Sequence, residues 1–353
     1  MLTDSLPAYA IVPFVAMLLA IAVCPLWLPH WWESNWNKLV LAGVLGLPVV
    51  ALYAARHPHA LLETAEEYVS FMLLLTALYV IAGGIRLTGD LRATPLVNTT
   101  FLAVGSVLAS FLGTTGASML LIRPVLQTNR QRTRVTHTMV FFIFLVANVG
   151  GLLTPLGDPP LFLGFLEGVP FTWTFRLLPH WLFAVTVLLL AYLAWDSVAY
   201  RREPVEAVVR DIVQRQGLRV VGTLNFAWLA GVVLAVAILR APWREAVILA
   251  LTGLSLWRTP RAVRQANEFT PHPMVEVAVL FLGIFLTMIP ALELLRTRGG
   301  ELGVRQPWQF FWATGALSSF LDNAPTYLTF LALGQGLHLP DEVVGVPHAI
   351  LAA

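Results

Sequence analysis

The sequence predicts an all-α polytopic membrane protein with inverted repeats, broken helices and two re-entrant hairpins. Three observations lead to this fold class: the composition, the number of long apolar stretches, and the polar interruptions inside some of them. Of the 353 residues, 58% are hydrophobic and 12% are charged, against roughly 25% charged residues in ordinary soluble domains. The composition therefore favours one membrane domain over two soluble domains.

Composition and motifs also narrow the function classes. The formal net charge of +2 gives no reason to expect a nucleic-acid partner. The single cysteine, Cys24, excludes an internal disulfide framework. The N-terminus lacks the basic region and cleavage site of a signal peptide, so the first apolar stretch is expected to stay as a helix. No nucleotide-binding loop or nucleophile elbow occurs, and we expect neither enzyme activity nor a cofactor.

Apolar stretches of about 17–25 residues are long enough to cross a bilayer as helices. A longer stretch at 135–166 is interrupted near its centre, which predicts a broken span. Two further stretches, 95–123 and 307–338, have polar or helix-breaking centres, which predict hairpins. The continuous spans are predicted at 11–28, 37–55, 66–85, 177–197, 219–239, 242–257 and 273–295.

The placement of arginine predicts the orientation, because short basic loops stay in the cytoplasm. The segments 123–134, 198–219 and 258–268 are rich in arginine, whereas no Lys or Arg precedes the first span. These features predict a multi-pass protein of the inner membrane with its N-terminus outside. Counting spans from there, the first hairpin begins and ends in the cytoplasm and the second outside. Both hairpins are therefore predicted to be re-entrant, from opposite faces.

An internal repeat agrees with this geometry. The segment Ser110 to Gly116 aligns with Ser319 to Pro325 at an offset of 209 residues, which places Gly113 on Asp322. Paired segments of opposite orientation are typical of inverted repeats. The predicted division is an N-terminal repeat over 1–200, a cytoplasmic linker over 201–218 and a C-terminal repeat over 219–353. At this offset the partner of the broken span lies past Ala353, so the second repeat is expected to be incomplete, by truncation or degeneration.

Polar interruptions at Asn148 to Pro160 and Ser318 to Thr326 carry the functional argument. Irregular backbone at membrane depth is tolerated only where it is buried in protein or lines a cavity. Asp158 and Asp322 are N-cap candidates, each followed by proline within three residues. Half-helices that start there direct free N–H groups at the membrane centre, and a carboxylate at that depth marks a functional site. The sequence thus predicts an inverted-repeat secondary transporter.

The predicted site combines the neutral tip of the first hairpin with the two acidic interruptions. Carboxylates, an amide, hydroxyls and open carbonyls are hard oxygen ligands that suit Na⁺ or proton exchange. Transported sodium is expected at Asp158, Asp322 and Asn323, and no other metal is expected. A purely structural cap role for the acids, and a packing role for the hydroxyls, are the alternatives. The candidate ligands are Thr114, Thr115, Ser118, Asn148, Gly151, Thr154, Asp158, Asp322, Asn323 and Thr326.

These motifs resemble the ion transporter superfamily, which includes sodium/proton antiporters, arsenite permeases, and citrate and dicarboxylate transporters. The resemblance rests on the blocks Gly113 to Pro124 and Asn148 to Phe162, and Ser319 to Thr326 is similar to the second-hairpin motif. It implies an inverted-repeat fold with two re-entrant hairpins and often a homodimer. The sequence departs from the family where the second broken helix should begin.

The sequence is compatible with three functions. The two acidic motifs favour sodium/proton antiport by alternating access at a midplane site. The first alternative is cation-coupled transport of citrate or a dicarboxylate, in which the acids bind the coupling ion and Gly113 to Ser118 hold the anion. The second alternative is an inactive membrane fragment or scaffold. In each case the expected partners are the lipid bilayer and a small ion or carboxylate.

Overall fold

A computed structural model describes residues 7–213, 216–339 and 343–353. The described chain is helical apart from one two-stranded antiparallel ribbon and one isolated β-bridge. The strands are β1 (Arg86–Asp90) and β2 (Gln216–Val221). The helices are α1 (Val12–Trp27), α2 (Pro29–Trp32), α3 (Asn35–Arg56), α4 (Pro58–Ala82), α5 (Pro95–Leu112), α6 (Thr114–Thr128), α7 (Thr136–Leu145), α8 (Pro159–Leu166), α9 (Leu178–Tyr200), α10 (Val205–Val213), α11 (Leu224–Ile238), α12 (Trp243–Arg258), α13 (Arg261–Ala266), α14 (His272–Arg298), α15 (Pro307–Ser318), α16 (Asn323–Gln335) and α17 (His348–Ala352).

Seven helical segments of the described chain are long and apolar enough to cross a membrane, which confirms a multi-pass membrane protein. They are Ala8–Trp27, Asn35–Arg56, Pro58–Ala82, Pro95–Leu112, Thr136–Leu153, Phe171–Tyr200 and His272–Leu302. The segment Pro95–Leu112 belongs to the first predicted hairpin and is itself long enough to span. Re-entrance of this hairpin and the orientation of the N-terminus therefore stay predictions.

Two predicted spans of the second half differ in the structure. The stretch 219–239 becomes helical only at Leu224, because residues up to Val221 pair with β1 as an antiparallel strand. The stretch 242–257 forms α12, whose 16 residues are fewer than the roughly 20 that a straight span needs. The partner of β2 lies more than a hundred residues away in the chain, and the local sequence gives no sign of this pairing.

The predicted helix breaks are confirmed. The stretch 135–166 forms α7, a short 3₁₀ segment at Val149–Leu153, and then α8. The first hairpin consists of α5 and α6, which break at Gly113, and the second consists of α15 and α16, which break before Asp322. Gly113 and Asp322 are the N-caps of α6 and α16, and they stand at the offset of 209 on which the predicted repeat rests. The division at 1–200 and 219–353 itself stays a prediction.

The chain forms two compact units that do not follow the repeat boundaries. The first unit comprises Met1–Met72, Phe162–Val169 and Thr270–Ala353. The second unit comprises Leu73–Leu161 and Pro170–Phe269. Each unit is therefore assembled from segments of both halves of the sequence, and the second hairpin belongs to the first unit.

In the first unit, α14 forms the centre, and α1, α3 and α16 pack on it. Small residues allow this close helix packing, as is common between membrane helices. A Cβ atom at Gly46 of α3 would lie 3.0 Å from the Cβ of Leu286, and one at Gly283 would lie 3.0 Å from the Cβ of Ala42. The hairpin helix α16 is thereby attached to a closely packed scaffold.

In the second unit, the first hairpin packs against α9 and the 3₁₀ segment of the broken span, and β1 packs on α6. The start of α11 is fixed by Asn225, whose side-chain amide donates to the carbonyl of Gly84 at 3.0 Å. The hydroxyl of Ser255 donates to the Asn225 side-chain oxygen at 2.6 Å. These buried bonds connect α11 and α12 of the second half of the sequence to the end of α4.

Candidate functional site

The tip of the first hairpin is shaped by Gly113. Its φ of 77° lies in the region that L-residues with side chains avoid. A Cβ atom at this position would also lie 3.3 Å from the carbonyl oxygen of Leu156. The following N–H, of Thr114, donates to the carbonyl of Gly157 at 2.9 Å. The hairpin tip is therefore joined directly to the unwound part of the broken span.

Further bonds hold the broken span against the first hairpin. The Ser110 hydroxyl donates to the carbonyl of Gly150 at 2.5 Å, and the buried Thr154 hydroxyl donates to the carbonyl of Ser110. Within the break, the backbones at Gly151 and Gly157 approach so closely that a Cβ at Gly157 would overlap the Gly151 carbonyl oxygen. The break is thus a packed structure in which glycine is required.

The predicted ligands of the second unit differ in their availability. Thr114, Gly151 and Thr154 are buried, and bonds within the hairpin and the break already use the Thr154 hydroxyl and the Thr114 N–H. The structure brings these three residues together around the first tip. Thr115 and Asn148 are exposed, and Asp158 is half-buried.

Ser118 lies one turn further along α6 than Thr114. Its Oγ is buried and has no hydrogen-bond partner among the described residues. A buried hydroxyl without a partner is uncommon in native structures and needs an explanation. A bound polar ligand or water beside the first tip would supply the missing bond.

The second hairpin tip lies in the first unit and carries a charge. The Asp322 side chain caps α16 by accepting from the N–H of Ala324 at 2.8 Å. Asp322 and Asn323 are exposed, whereas Thr326 is buried and its hydroxyl donates to the Asp322 carbonyl at 2.9 Å. The carboxylate therefore keeps a free oxygen edge while it holds the helix start. Convergence of this tip with the ligands of the second unit stays a prediction.

A buried ionic cluster lies at the base of the first hairpin and was not predicted from the sequence. Arg132 donates from its two Nη atoms to the two carboxylate oxygens of Asp196 at 2.6 and 3.0 Å. The Nε2 atom of His137 lies 2.7 Å from Oδ1 of the same aspartate, and the Asn98 amide of α5 reaches Oδ2 at 3.4 Å. Asp196 is the only acidic residue in the apolar stretch of α9, and this was the available signal.

Glu203 extends this cluster beyond the end of α9. It accepts bonds from the Thr133 N–H at 3.0 Å, the Thr133 hydroxyl at 2.7 Å and the Arg134 N–H at 2.9 Å. Burial alone would raise the pKa of the Glu203 carboxyl, but these bonds stabilise the charged form and the pKa is lowered. The loop that follows α6 is thereby fixed to α9, so the first hairpin has a rigid base.

A polar cavity in the first unit was also missed. It has a volume of about 450 Å³ and lies beside the ends of α3 and α14. On its wall, the Nη2 atom of Arg296 donates to both carboxylate oxygens of Glu167, at 2.6 and 2.7 Å, and the Tyr53 hydroxyl donates to Glu293 at 2.7 Å. No cluster of three or more His, Cys, Asp or Glu side chains suited to a metal occurs in the described part of the chain.

A family described as "Putative citrate transport" matches residues 3–353, which is nearly the whole chain. No curated protein and no solved structure matches the chain.

Proposed function

The chain belongs to this family of the ion transporter superfamily. We propose that it transports citrate or a related carboxylate across the membrane, and that a cation gradient drives this transport. The family assignment makes the chain a secondary transporter. The observation that carries the choice of substrate is the description of the family, putative citrate transport, and the match covers both hairpins and the broken span.

The first hairpin tip supports an anionic substrate. It contains no carboxylate, and the N-terminus of the 15-residue helix α6 begins there. Helix N-termini attract anions, because the first N–H groups lack intrahelical partners and carry partial positive charge. Thr115 adds an exposed hydroxyl in the first turn of this helix. We infer that a substrate carboxylate binds at this tip.

The second tip supports a coupling cation. A helix N-terminus there is already neutralised by the Asp322 carboxylate, which would repel a carboxylate ligand. The free carboxylate edge and the Asn323 amide oxygen are hard donors that suit Na⁺, or the carboxylate takes up a proton instead. The two hairpins would then have different roles: the first binds the anionic substrate, and the second binds the cation whose gradient drives substrate transport.

Sodium/proton antiport is the second candidate, and the two acids Asp158 and Asp322 favour it. Asp158 is half-buried and directly precedes α8, and the carbonyl of its neighbour Gly157 accepts from the Thr114 N–H, so a second titratable group lies near the first tip. In an antiporter both carboxylates would exchange Na⁺ for protons and no organic anion would be carried. The two candidates therefore differ in whether citrate moves at all.

Uptake of radiolabelled citrate into proteoliposomes separates them. We expect uptake that an inward Na⁺ or proton gradient accelerates. Thr115→Val should raise the half-saturation concentration roughly five-fold, since one hydrogen bond is worth about 1 kcal/mol. Thr99→Val is the matched control, because the Thr99 hydroxyl donates to Pro95 of its own helix at 2.7 Å. Dequenching of a pH dye on adding Na⁺ or Li⁺, without citrate uptake, would select antiport instead.

A further inference from the structure

The short helix α10 has an exposed apolar face. This face consists of Val205, Val209, Ile212 and Val213, whose spacing places them on one side of a helix. Their side chains are 74%, 51%, 39% and 76% exposed. We call these side chains the apolar stripe of α10. Such a stripe on a surface helix needs a partner that removes it from water.

The opposite face attaches α10 to the rest of the second unit. Ala207 and Asp211, which lie one turn apart, are both buried. The Oδ2 atom of Asp211 accepts from the N–H of Ala93 at 3.0 Å, and the Ala93 carbonyl accepts from Arg132 at 3.4 Å. Because the attached face and the apolar stripe lie on opposite sides of the helix, the stripe points away from the protein.

The two connections of α10 place it where two candidate membrane spans end. The short segment 201–204 joins its start to the end of the candidate span Phe171–Tyr200. Ala93, which accepts the other connection, directly precedes the N-cap of α5, and α5 forms the candidate span Pro95–Leu112. The ends of membrane spans lie at the boundary between acyl chains and head groups. The helix is therefore held at the level of this boundary.

The size of the stripe and the charges around it favour lipid over a protein partner. A helix of 9 residues is about 14 Å long. A stable protein interface covers about 800 Å² of each partner, and the stripe alone is too small for that. Exposed arginines stand in and just before the helix, at Arg201, Arg202 and Arg210. Basic residues beside an apolar helix face are typical of helices that lie in a membrane surface.

We propose that α10 is an interfacial helix whose apolar stripe is buried among the acyl chains of the adjacent leaflet. The bond between Asp211 and Ala93 holds the other face of the helix on the protein. The segment between the spans α9 and α11 is then seated on the bilayer. This inference does not depend on which substrate the protein transports, because none of the hairpin-tip residues takes part.

Spin labels test the orientation of α10. Single cysteines at Val209, Val213 and Glu206 are labelled on a Cys24→Ser background, and the protein is reconstituted into liposomes of phosphatidylcholine and phosphatidylglycerol. Labels at 209 and 213 should collide more often with O₂, which partitions into acyl chains, than with a water-soluble nickel chelate. The label at 206, outside the stripe, should show the reverse. A label at Val187, which is exposed on the α9 span, is the lipid standard.

Two results would overturn the proposal. Preference for the nickel chelate at both 209 and 213 would place the stripe in water. Protection of both labels from both reagents would mean that another protein surface, such as a second copy of this chain, covers the stripe.

Trypsin cleavage gives a second readout that needs no label. Arg210 lies within α10, so cleavage after it requires the helix to open. In proteoliposomes, Val209→Asp should be cleaved there roughly ten-fold faster, because burial of one valine side chain is worth about this factor. Glu206→Gln is the matched control and should leave the rate unchanged, since Glu206 is exposed outside the stripe. Equal rates for Val209→Asp and the unmodified protein would contradict burial of the stripe in lipid.

Discussion

Gly113 and Asp322 occupy the same place in two helical hairpins: each is the N-cap of the second hairpin helix. They differ in charge and in conformation: Gly113 has a φ of 77°, whereas Asp322 is extended, with a φ of −61° and a ψ of 139°. Both helix starts present N–H groups, but only the second has a carboxylate to neutralise them. This difference between equivalent positions is the physical basis for assigning an anion to one tip and a cation to the other.

The Asp322 carboxylate is the group that we propose binds the coupling ion. We expect Asp322→Asn to lose stimulation of citrate uptake by the cation gradient, because the amide has neither the charge nor a proton to exchange. Asparagine caps a helix about as well as aspartate, so the hairpin should remain folded. Uptake in proteoliposomes with and without a gradient measures the effect.

Asp322→Ala serves as the comparison, because it removes the cap as well and should cost about 1 kcal/mol of stability. Gradient-stimulated uptake that persists in Asp322→Asn would show that this carboxylate has only a structural role.

The break in the helical span depends on a close backbone approach. Gly157→Ala should lower the thermal unfolding midpoint and the yield of folded protein, because the added methyl group overlaps the Gly151 carbonyl oxygen. Overpacking of this kind costs roughly 1–3 kcal/mol. Gly253→Ala, in α12, is the control: no atom lies within 4 Å of the new methyl group, and alanine favours a helix interior. An unchanged midpoint for Gly157→Ala would contradict the packed geometry of the break.

The lowered pKa of Glu203 predicts a dependence of stability on pH. A folded-state pKa below that of the unfolded chain contributes stability above the unfolded value of about 4.3, and this contribution is lost as the pH falls through the folded value. The unfolding midpoint should therefore fall on acidification below about pH 5. Glu203→Gln should be less stable at pH 7 and should show a smaller further loss in acid.

Glu206→Gln is the control for this experiment, because Glu206 is exposed on α10. It should follow the unmodified protein at every pH. A Glu203→Gln profile parallel to that of the unmodified protein would show that the bonds from Thr133 and Arg134 add no pH-dependent stability.

The sequence predicted the helix breaks well because Gly, Pro and capping Asp act locally. The break at Gly151 to Asp158 and the start of α16 follow from residues within a few positions of each other. The β-ribbon escaped prediction because its strands pair across more than a hundred residues, and neither strand alone has a distinctive pattern. The Arg132–Asp196 cluster escaped for the same reason, since only tertiary packing brings a loop arginine to a helix aspartate.

The sequence predicted the candidate ligands from their residue types alone. The structure shows which of these side chains are buried or already hydrogen-bonded and which are exposed. Thr154 looked like a ligand because of its hydroxyl, but that hydroxyl already bonds the Ser110 carbonyl. Thr115 and Ser118 could not be distinguished from Thr114 by sequence, because exposure depends on how the hairpin packs against the broken span. We predict that Thr115 contacts the substrate, and citrate uptake by the Thr115→Val variant tests this.

Membrane topology provides a further test. Single cysteines at Arg92 and Arg134, placed on a Cys24→Ser background, should resist an impermeant maleimide added outside intact cells. Both positions flank the first hairpin and are predicted to be cytoplasmic. A cysteine at His59, which is exposed in the first turn of α4 at the end predicted to lie outside, should react. Reaction at Arg134→Cys but not at Arg92→Cys would mean that the hairpin region crosses the membrane once.

Citrate counterflow tests the central claim most directly, because it requires translocation of the carboxylate and needs no knowledge of the coupling ion. Proteoliposomes are loaded with unlabelled citrate and diluted into a trace of radiolabelled citrate, with Na⁺ and pH equal on both sides. We expect label to accumulate transiently above its equilibrium level and then decline. Label that only follows the slow leak of protein-free liposomes, while Na⁺-dependent proton movement is present, would contradict carboxylate transport.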